Sequence, residues 1–176
     1  LTLRQRTPAT AGQPAKQALP IPVRLSLFDR AGTALPLRLE GEATAGAVER
    51  TFVLDGTEHS FVFEDIDAAP VPSLLRGFSA PVKLRGLPRE QLRVLAAHDT
   101  DPFTRWDSGQ QYAAAAMLDM AAAHRRGEPL PFDPALGEAV CANLAGADTD
   151  PAFAAEALLL PGEISPKVSN VGRSGQ

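Results

Sequence analysis

A chain of 176 residues that is 44% hydrophobic and 22% charged has the makeup of a folded globular protein, long enough for one large core or two small ones. Its net charge of −4 gives no cationic field for counter-ion release, which argues against nucleic acid and against an anionic membrane surface as partners. The single cysteine, Cys141, excludes an internal disulfide framework and fits a reducing, cytoplasmic compartment. No window approaches the roughly 20 uninterrupted apolar residues that span a bilayer, and no basic start precedes an apolar leader. The chain begins with Leu1 rather than Met, which points to a piece processed or excised from something longer.

In chain order, Leu1 and Leu3 alternate with Thr2 and Arg4 as in a half-buried strand, and a Pro- and Gly-containing loop over 7–14 follows. Ile21, Val23, Leu25 and Leu27 then fall on one face, with Arg24 and Ser26 on the other. Pro22 places this strand at an outer edge, or else belongs to its first residues. Asp29-Arg30-Ala31-Gly32 has the composition of a tight turn, and Leu35, Leu37 and Leu39 resume the alternation, so the two runs are expected to pair as an antiparallel hairpin. A surface loop is expected over 41–47. Residues 51–54 and 58–64 flank Asp55-Gly56-Thr57, which predicts a second hairpin closed by a type I′ turn, with Phe61 and Phe63 sharing a face with His59. Short strands separated by turn signals predict an antiparallel β-sandwich of immunoglobulin-like appearance over residues 1–86.

Residues 69–84 separate two periodicities. Pro70, Pro72 and Pro81 forbid a helix interior and allow only an edge strand or an extended connector. Gly77 permits a bend. Leu74, Leu75, Phe78 and Val82 are too apolar for a free linker, so the segment is expected to be pinned against both neighbours as a rigid joint.

An α-helical array is expected over 87–163. Leu92, Leu95 and Ala96 share a helical face. Asp101-Pro102 ends that helix and starts the next, Asp101 as N-cap and Pro102 at N1. Phe103, Trp106, Gln110, Ala113, Met117 and Met120 recur at steps of three and four, predicting the buried stripe of the second helix, which Gly127 ends after Arg125 and Arg126. Asp133-Pro134 and Asp150-Pro151 repeat the start signal. Leu136, Val140 and Leu144 are expected to line the third helix, and Phe153, Ala157, Leu158 and Leu160 to begin a fourth. Short turns between helices predict an antiparallel stack; if the chain ends near Gln176, its last members are expected to keep an open apolar side suited to self-association. Residues 164–176 are polar, contain Pro166, and predict an irregular tail.

The reactive side chains have structural readings. His59, His98 and His124 are never four residues apart, so no zinc-binding pair at i and i+4 exists. Asp99 and Asp101 are natural caps at a helix corner, His59 a sheet residue and His124 a helix-end residue. Cys141 is expected to be a small buried helix residue, and Ser79 lacks the glycines of a nucleophile elbow. Arg105 beside Trp106 reads as a solvated helix surface, and Arg125-Arg126 as an end charge. Phe61, Phe63, Phe78 and Trp106 read as core. No residue stands out as catalytic, cofactor-binding or metal-binding.

The stretch Pro70-Val71-Pro72-Ser73-Leu74-Leu75-Arg76-Gly77-Phe78-Ser79-Ala80-Pro81-Val82 resembles the segment that joins sandwich and helical domains in the bacterial aminopeptidase N family of zinc-dependent M1 peptidases. The similarity includes Gln5-Arg6-Thr7-Pro8-Ala9-Thr10, Phe61-Val62-Phe63, His98-Asp99, Phe103-Thr104-Arg105-Trp106-Asp107 and Asp150-Pro151-Ala152. It runs from about residue 3 to about residue 161. The resemblance implies a non-catalytic internal part of a bacterial, cytoplasmic enzyme that removes N-terminal residues from peptides. Its partners would be the catalytic domain and the remaining helices of the parent chain, together with the parent's peptide substrates. The family's zinc ligands, its catalytic glutamate and its Gly-Ala-Met-Glu-Asn motif are absent from this sequence, so zinc is expected in the parent and no cofactor in this part. The alternative expectation is an autonomous protein-interaction module with no enzymatic role.

Overall fold

The computed structural model describes residues 1–162; the tail expected over 164–176 lies outside the described residues. Six strands come first, β1 (Thr2–Arg4), β2 (Ile21–Phe28), β3 (Ala34–Leu35), β4 (Glu49–Leu54), β5 (Glu58–Ser60) and β6 (Val71–Leu74). A single 3₁₀ turn, Arg76–Phe78, leads to α1 (Arg89–His98), α2 (Pro102–Arg126), α3 (Pro134–Ala145) and α4 (Pro151–Ala157). The expected sandwich followed by helices is the architecture observed.

β2 is the organising strand. Its alternation sends Val23, Leu25 and Leu27 into a core shared with Leu37, Leu54, Leu74, Leu75 and Ala80, against which Leu3 and Phe63 pack. β4 and β3 pair antiparallel with one edge of β2, and β6 with the other. Pro22 is therefore in a central strand, at its second residue. Its missing donor faces the β6 side, where β6 has already ended opposite Leu25. There the Ser79 hydroxyl takes the place of a strand, donating to Pro22 O at 2.9 Å and accepting from the Arg24 N–H at 3.1 Å.

Two strand expectations are corrected. The turn at Asp29 forms, with Asp29 Oδ1 accepting from the N–H groups of Ala31 and Thr33, but β3 stops after Leu35 because Pro36 has no donor to continue the ladder. Residues 51–54 and 58–64 do not form a hairpin. β4 pairs with β2, and β5 pairs instead with β1, Leu3 opposite His59. Gly56 is outside the positive-φ glycines that a type I′ turn requires. Gln5 explains the divergence. Its side-chain amide donates to the carbonyls of Leu19, Leu54 and Gly56 at 2.8 to 3.2 Å, and its backbone N–H donates to Thr57 O, so the bend is satisfied from β1 rather than across a hairpin.

The three Asp-Pro helix starts form as expected. Asp101, Asp133 and Asp150 each accept a backbone N–H from the first turn, with proline at the first helical position. Gly127 closes α2 in the left-handed region at φ 70°.

The buried faces differ from the expected stripes. In α2 the buried residues are Thr104, Ser108, Tyr112, Ala113, Ala116 and Ala123, while Met117 and Met120 are exposed. In α3 they are Ala139 and Asn143, while Val140 and Leu144 are exposed. Small side chains let the helix axes close up: a Cβ on Gly109 would stand only 3.9 Å from that of Ala96 on α1. Tyr112 apart, the packed sides of these two helices carry small or polar side chains, while Met117, Met120, Val140 and Leu144 stay open. Cys141, one position beyond Val140, is exposed rather than buried.

Candidate functional site

The expected joint over 69–84 is where the two halves meet, and the even residues of β2 explain how. Phe28 points away from the sandwich core and packs on α1, and Ser26 shares its face by alternation, its hydroxyl donating to Val48 O. Opposite them on β6 stand Val71 and Ser73. Phe28 and Val71 pack with Val94 and Leu95 of α1 in a second apolar cluster. The sheet is thus covered on both faces at this end, by its own sandwich on one side and by a helix on the other. β6 is an edge strand, the setting that Pro72 permits.

Arg76 sits at the corner of that cluster with its side chain only 6% exposed, facing Asp99, whose side chain is 0% exposed. The Arg76 Nη1 donates to Asp99 Oδ1 and to Ser73 Oγ, its Nε to Glu49 Oε2 at 2.5 Å, and its Nη2 to Thr100 Oγ1 at 2.8 Å. The guanidinium lies 5.6 Å from the centre of the Phe28 ring. One side chain therefore touches β2, β4, β6, the end of α1 and the α1–α2 link, using the fixed fork of donors that lysine lacks. Asp99 Oδ2 accepts from the Ser73 hydroxyl at 2.5 Å and Oδ1 from the Asp101 N–H at 2.8 Å. Asp101, while capping α2, also accepts the Gly77 N–H at 2.8 Å.

The backbone around Arg76 is strained in its service. Leu75 and Phe78 take positive φ of 61° and 54°, a cost of about 1–3 kcal/mol each for non-glycine residues. Gly77, at φ 59°, leaves room for Arg24, whose Nη1 would be 3.0 Å from an added Cβ. Burial pushes the Asp99 carboxyl up, opposed by Ser73, the Asp101 N–H and Arg76. Burial likewise pulls Arg76 down, but Glu49 and Asp99 outweigh it and hold the guanidinium above its ordinary value. Arg76 therefore stays charged.

Glu49 carries a pH dependence of known sign. Burial alone would raise its carboxyl, yet the bonds from Arg76 and Arg24 win and hold it below its ordinary value of 4.5. Its contribution is present above the unfolded pKa and lost as pH falls through the folded one, whereas Asp99, shifted up, acts with the opposite sign. Unfolding by urea from about pH 5 to about pH 3 is expected to show stability falling in the native protein and falling less steeply in Glu49→Gln.

The other singled-out residues are scattered. His59 stacks on Phe61 with ring centres 4.5 Å apart, His98 packs against Gly32, and His124 lies in the last turn of α2. Among the described residues no three metal-capable side chains converge, and these histidines do not fit the zinc site that the resemblance implies for the parent. Ser79 is a strand-edge substitute. Arg105 is half-buried rather than a solvated surface residue: its Nη2 donates to Ala142 O, it lies over the Phe153 ring, and burial lowers its pKa. Trp106 is likewise partly buried. Phe78 leaves the expected core set, being 55% exposed with its ring 5.1 Å from that of Phe103. Two crevices of about 430 and 510 Å³ flank the joint, one by Phe61 and Pro70, the other by Phe78 and Phe103, and neither is lined by a histidine. Arg76 was missed in the sequence, where only its place between Leu75 and Gly77 in an apolar connector hinted at a buried charge.

Residues 1–86 match the family described as a domain of unknown function, DUF3458, with an Ig-like fold, and residues 89–167 the family DUF3458_C, described as ARM repeats. Aminopeptidase N of Escherichia coli is 40% identical over 162 residues, 92% of this chain and 18% of that protein. Aminopeptidase N of Haemophilus influenzae is 36% identical over 167 residues, 93% of this chain and 18% of that protein. The crystal structure of Legionella pneumophila aminopeptidase A in complex with aspartic acid superposes with a TM-score of 0.65 at 27% identity, covering 81% of this chain and 15% of that one. The chain thus spans less than a fifth of the length of these relatives.

Proposed function

We propose that this chain, whose residues 1–86 match the Ig-like DUF3458 family and residues 89–167 the ARM-repeat family DUF3458_C, is the non-catalytic positioning part of a longer, aminopeptidase N-like zinc peptidase. In this reading the sandwich is a strut, the helices are a cover over the peptide's path, and the joint fixes one upon the other. The longer enzyme removes N-terminal residues from peptides in the bacterial cytoplasm, and its zinc and reacting groups lie outside this chain. The observation that carries the reading is the buried Arg76–Asp99 pair, which ties the end of α1 to three strands. A joint of that kind serves placement, since it exposes no group to a substrate.

The test has two arms. Pure 176-residue chain is expected neither to hydrolyse an alanyl chromogenic amide nor to retain stoichiometric zinc after dialysis. Metal-dependent turnover by the pure chain contradicts the reading. In the longer protein, Asp99→Asn is expected to change the rate on long peptides while leaving the zinc content intact; loss of zinc would make the joint part of the metal-binding unit instead.

A further inference from the structure

We infer that Arg76 is a positioning residue: it sets the angle at which the helical array leaves the sandwich, through the geometry of its donors and not through its charge alone. The inference rests on the positioning role proposed above and assigns it to one side chain. Four observations converge on it. The donors of Arg76 are divided between both sides of the joint, Glu49 and Ser73 on strands, Asp99 and Thr100 at the end of α1. The backbone on both sides of Arg76 is held in the left-handed region at Leu75 and Phe78, a conformation that for non-glycine residues persists only where surrounding contacts over-determine it. The Gly77 N–H is captured by Asp101, the residue that also caps α2, so the direction of α2 is referenced to the same turn. The seam beside the pair is apolar, built from Phe28, Val71, Val94 and Leu95, and apolar contact alone is non-directional and permits sliding. Direction comes from the fork.

A residue that merely neutralised Asp99 could be replaced by lysine; one that sets an angle could not, because a point charge on a flexible stem reaches one partner at a time. The experiment uses the longer protein with spin labels at Val53→Cys on β4 and Leu118→Cys on α2, both exposed, and with Cys141→Ser to remove the exposed thiol. Pulsed electron–electron distances are expected to give one narrow peak for native Arg76 and a distribution about twofold wider for Arg76→Lys, as hinge freedom returns. The pair Arg76→Gln with Asp99→Asn, which leaves no buried charge, is expected to broaden it as well; circular dichroism verifies that each variant is folded. On long peptides Arg76→Lys is expected to raise KM about threefold with kcat nearly unchanged, while a short chromogenic amide is unaffected, the signature of a misplaced cover rather than a damaged site. Unbroadened distances in folded Arg76→Lys overturn the inference and leave the positioning role standing. Broadened distances with unchanged kinetics on both substrates uphold Arg76 as the angle-setting residue and overturn the positioning role.

Discussion

Asp99→Ala is expected to lower the stability of the chain by about 3–5 kcal/mol, the cost of removing one partner from a buried ion pair. Arg76 remains inside, its side chain 6% exposed, with Glu49 as its remaining carboxylate partner. The Ser73 hydroxyl loses its acceptor in a fully buried place, and the Asp101 N–H loses one at a half-buried place. Asp99→Asn keeps one acceptor oxygen, enough for the Arg76 and Asp101 N–H groups, while its amide N–H faces the Ser73 oxygen, and is expected to lose less. The control is Arg4→Ala: Arg4 pairs with Glu58 on the surface, with its side chain 76% exposed, and no measurable change in stability is expected because solvent screens such a pair. Urea unfolding of the three variants at neutral pH checks the order.

Leu95→Ala is expected to cost about 2–5 kcal/mol, as for other buried leucines. Leu95 is fully buried and packs with Phe28 and Val71 across the seam, so its cavity opens between the halves. Leu25→Ala removes the same volume from the sandwich core and is expected to cost a similar amount. The two differ in cooperativity. Trp106, the only tryptophan, reports on α2. In Leu25→Ala its fluorescence is expected to change together with the far-ultraviolet signal of the whole chain. In Leu95→Ala the two signals are expected to separate along the urea axis, because the seam that couples the halves has been thinned.

These expectations show which features the sequence carried and which it did not. Strand β2 was legible because Ile21, Val23, Leu25 and Leu27 encode a local period of two, and the helix starts because Asp101-Pro102, Asp133-Pro134 and Asp150-Pro151 act within one turn. The sandwich-then-helix order followed from those signals. Strand pairing was not legible: Asp55-Gly56 favours a hairpin locally, but β1 competes for β5 and Gln5 satisfies the bend, and neither effect is local. The packed sides of α2 and α3 were misread because Thr104, Ser108, Ala139 and Asn143 pack by being small or by hydrogen bonding, as Asn143 does to Ala96 O, while the apolar stripe was assigned to the core. Of the joint, the pinning could be read from Leu74 and Leu75, both buried. The Arg76 network could not, since its partners lie 3 to 27 positions away in sequence and charge at a buried corner leaves no periodic trace.

Sandwich and helices behave as one body if the joint is what the geometry makes it. Native-state hydrogen exchange on the chain reads this directly, by comparing the slowest amides of β2 with those of α1. Equal opening free energies, within about 0.5 kcal/mol, are expected, because neither element can open without breaking the apolar cluster they share beside the Arg76–Asp99 pair. Protection that persists in β2 while α1 exchanges through openings several-fold more frequent would show two independent units on a loose connector, and would contradict the account.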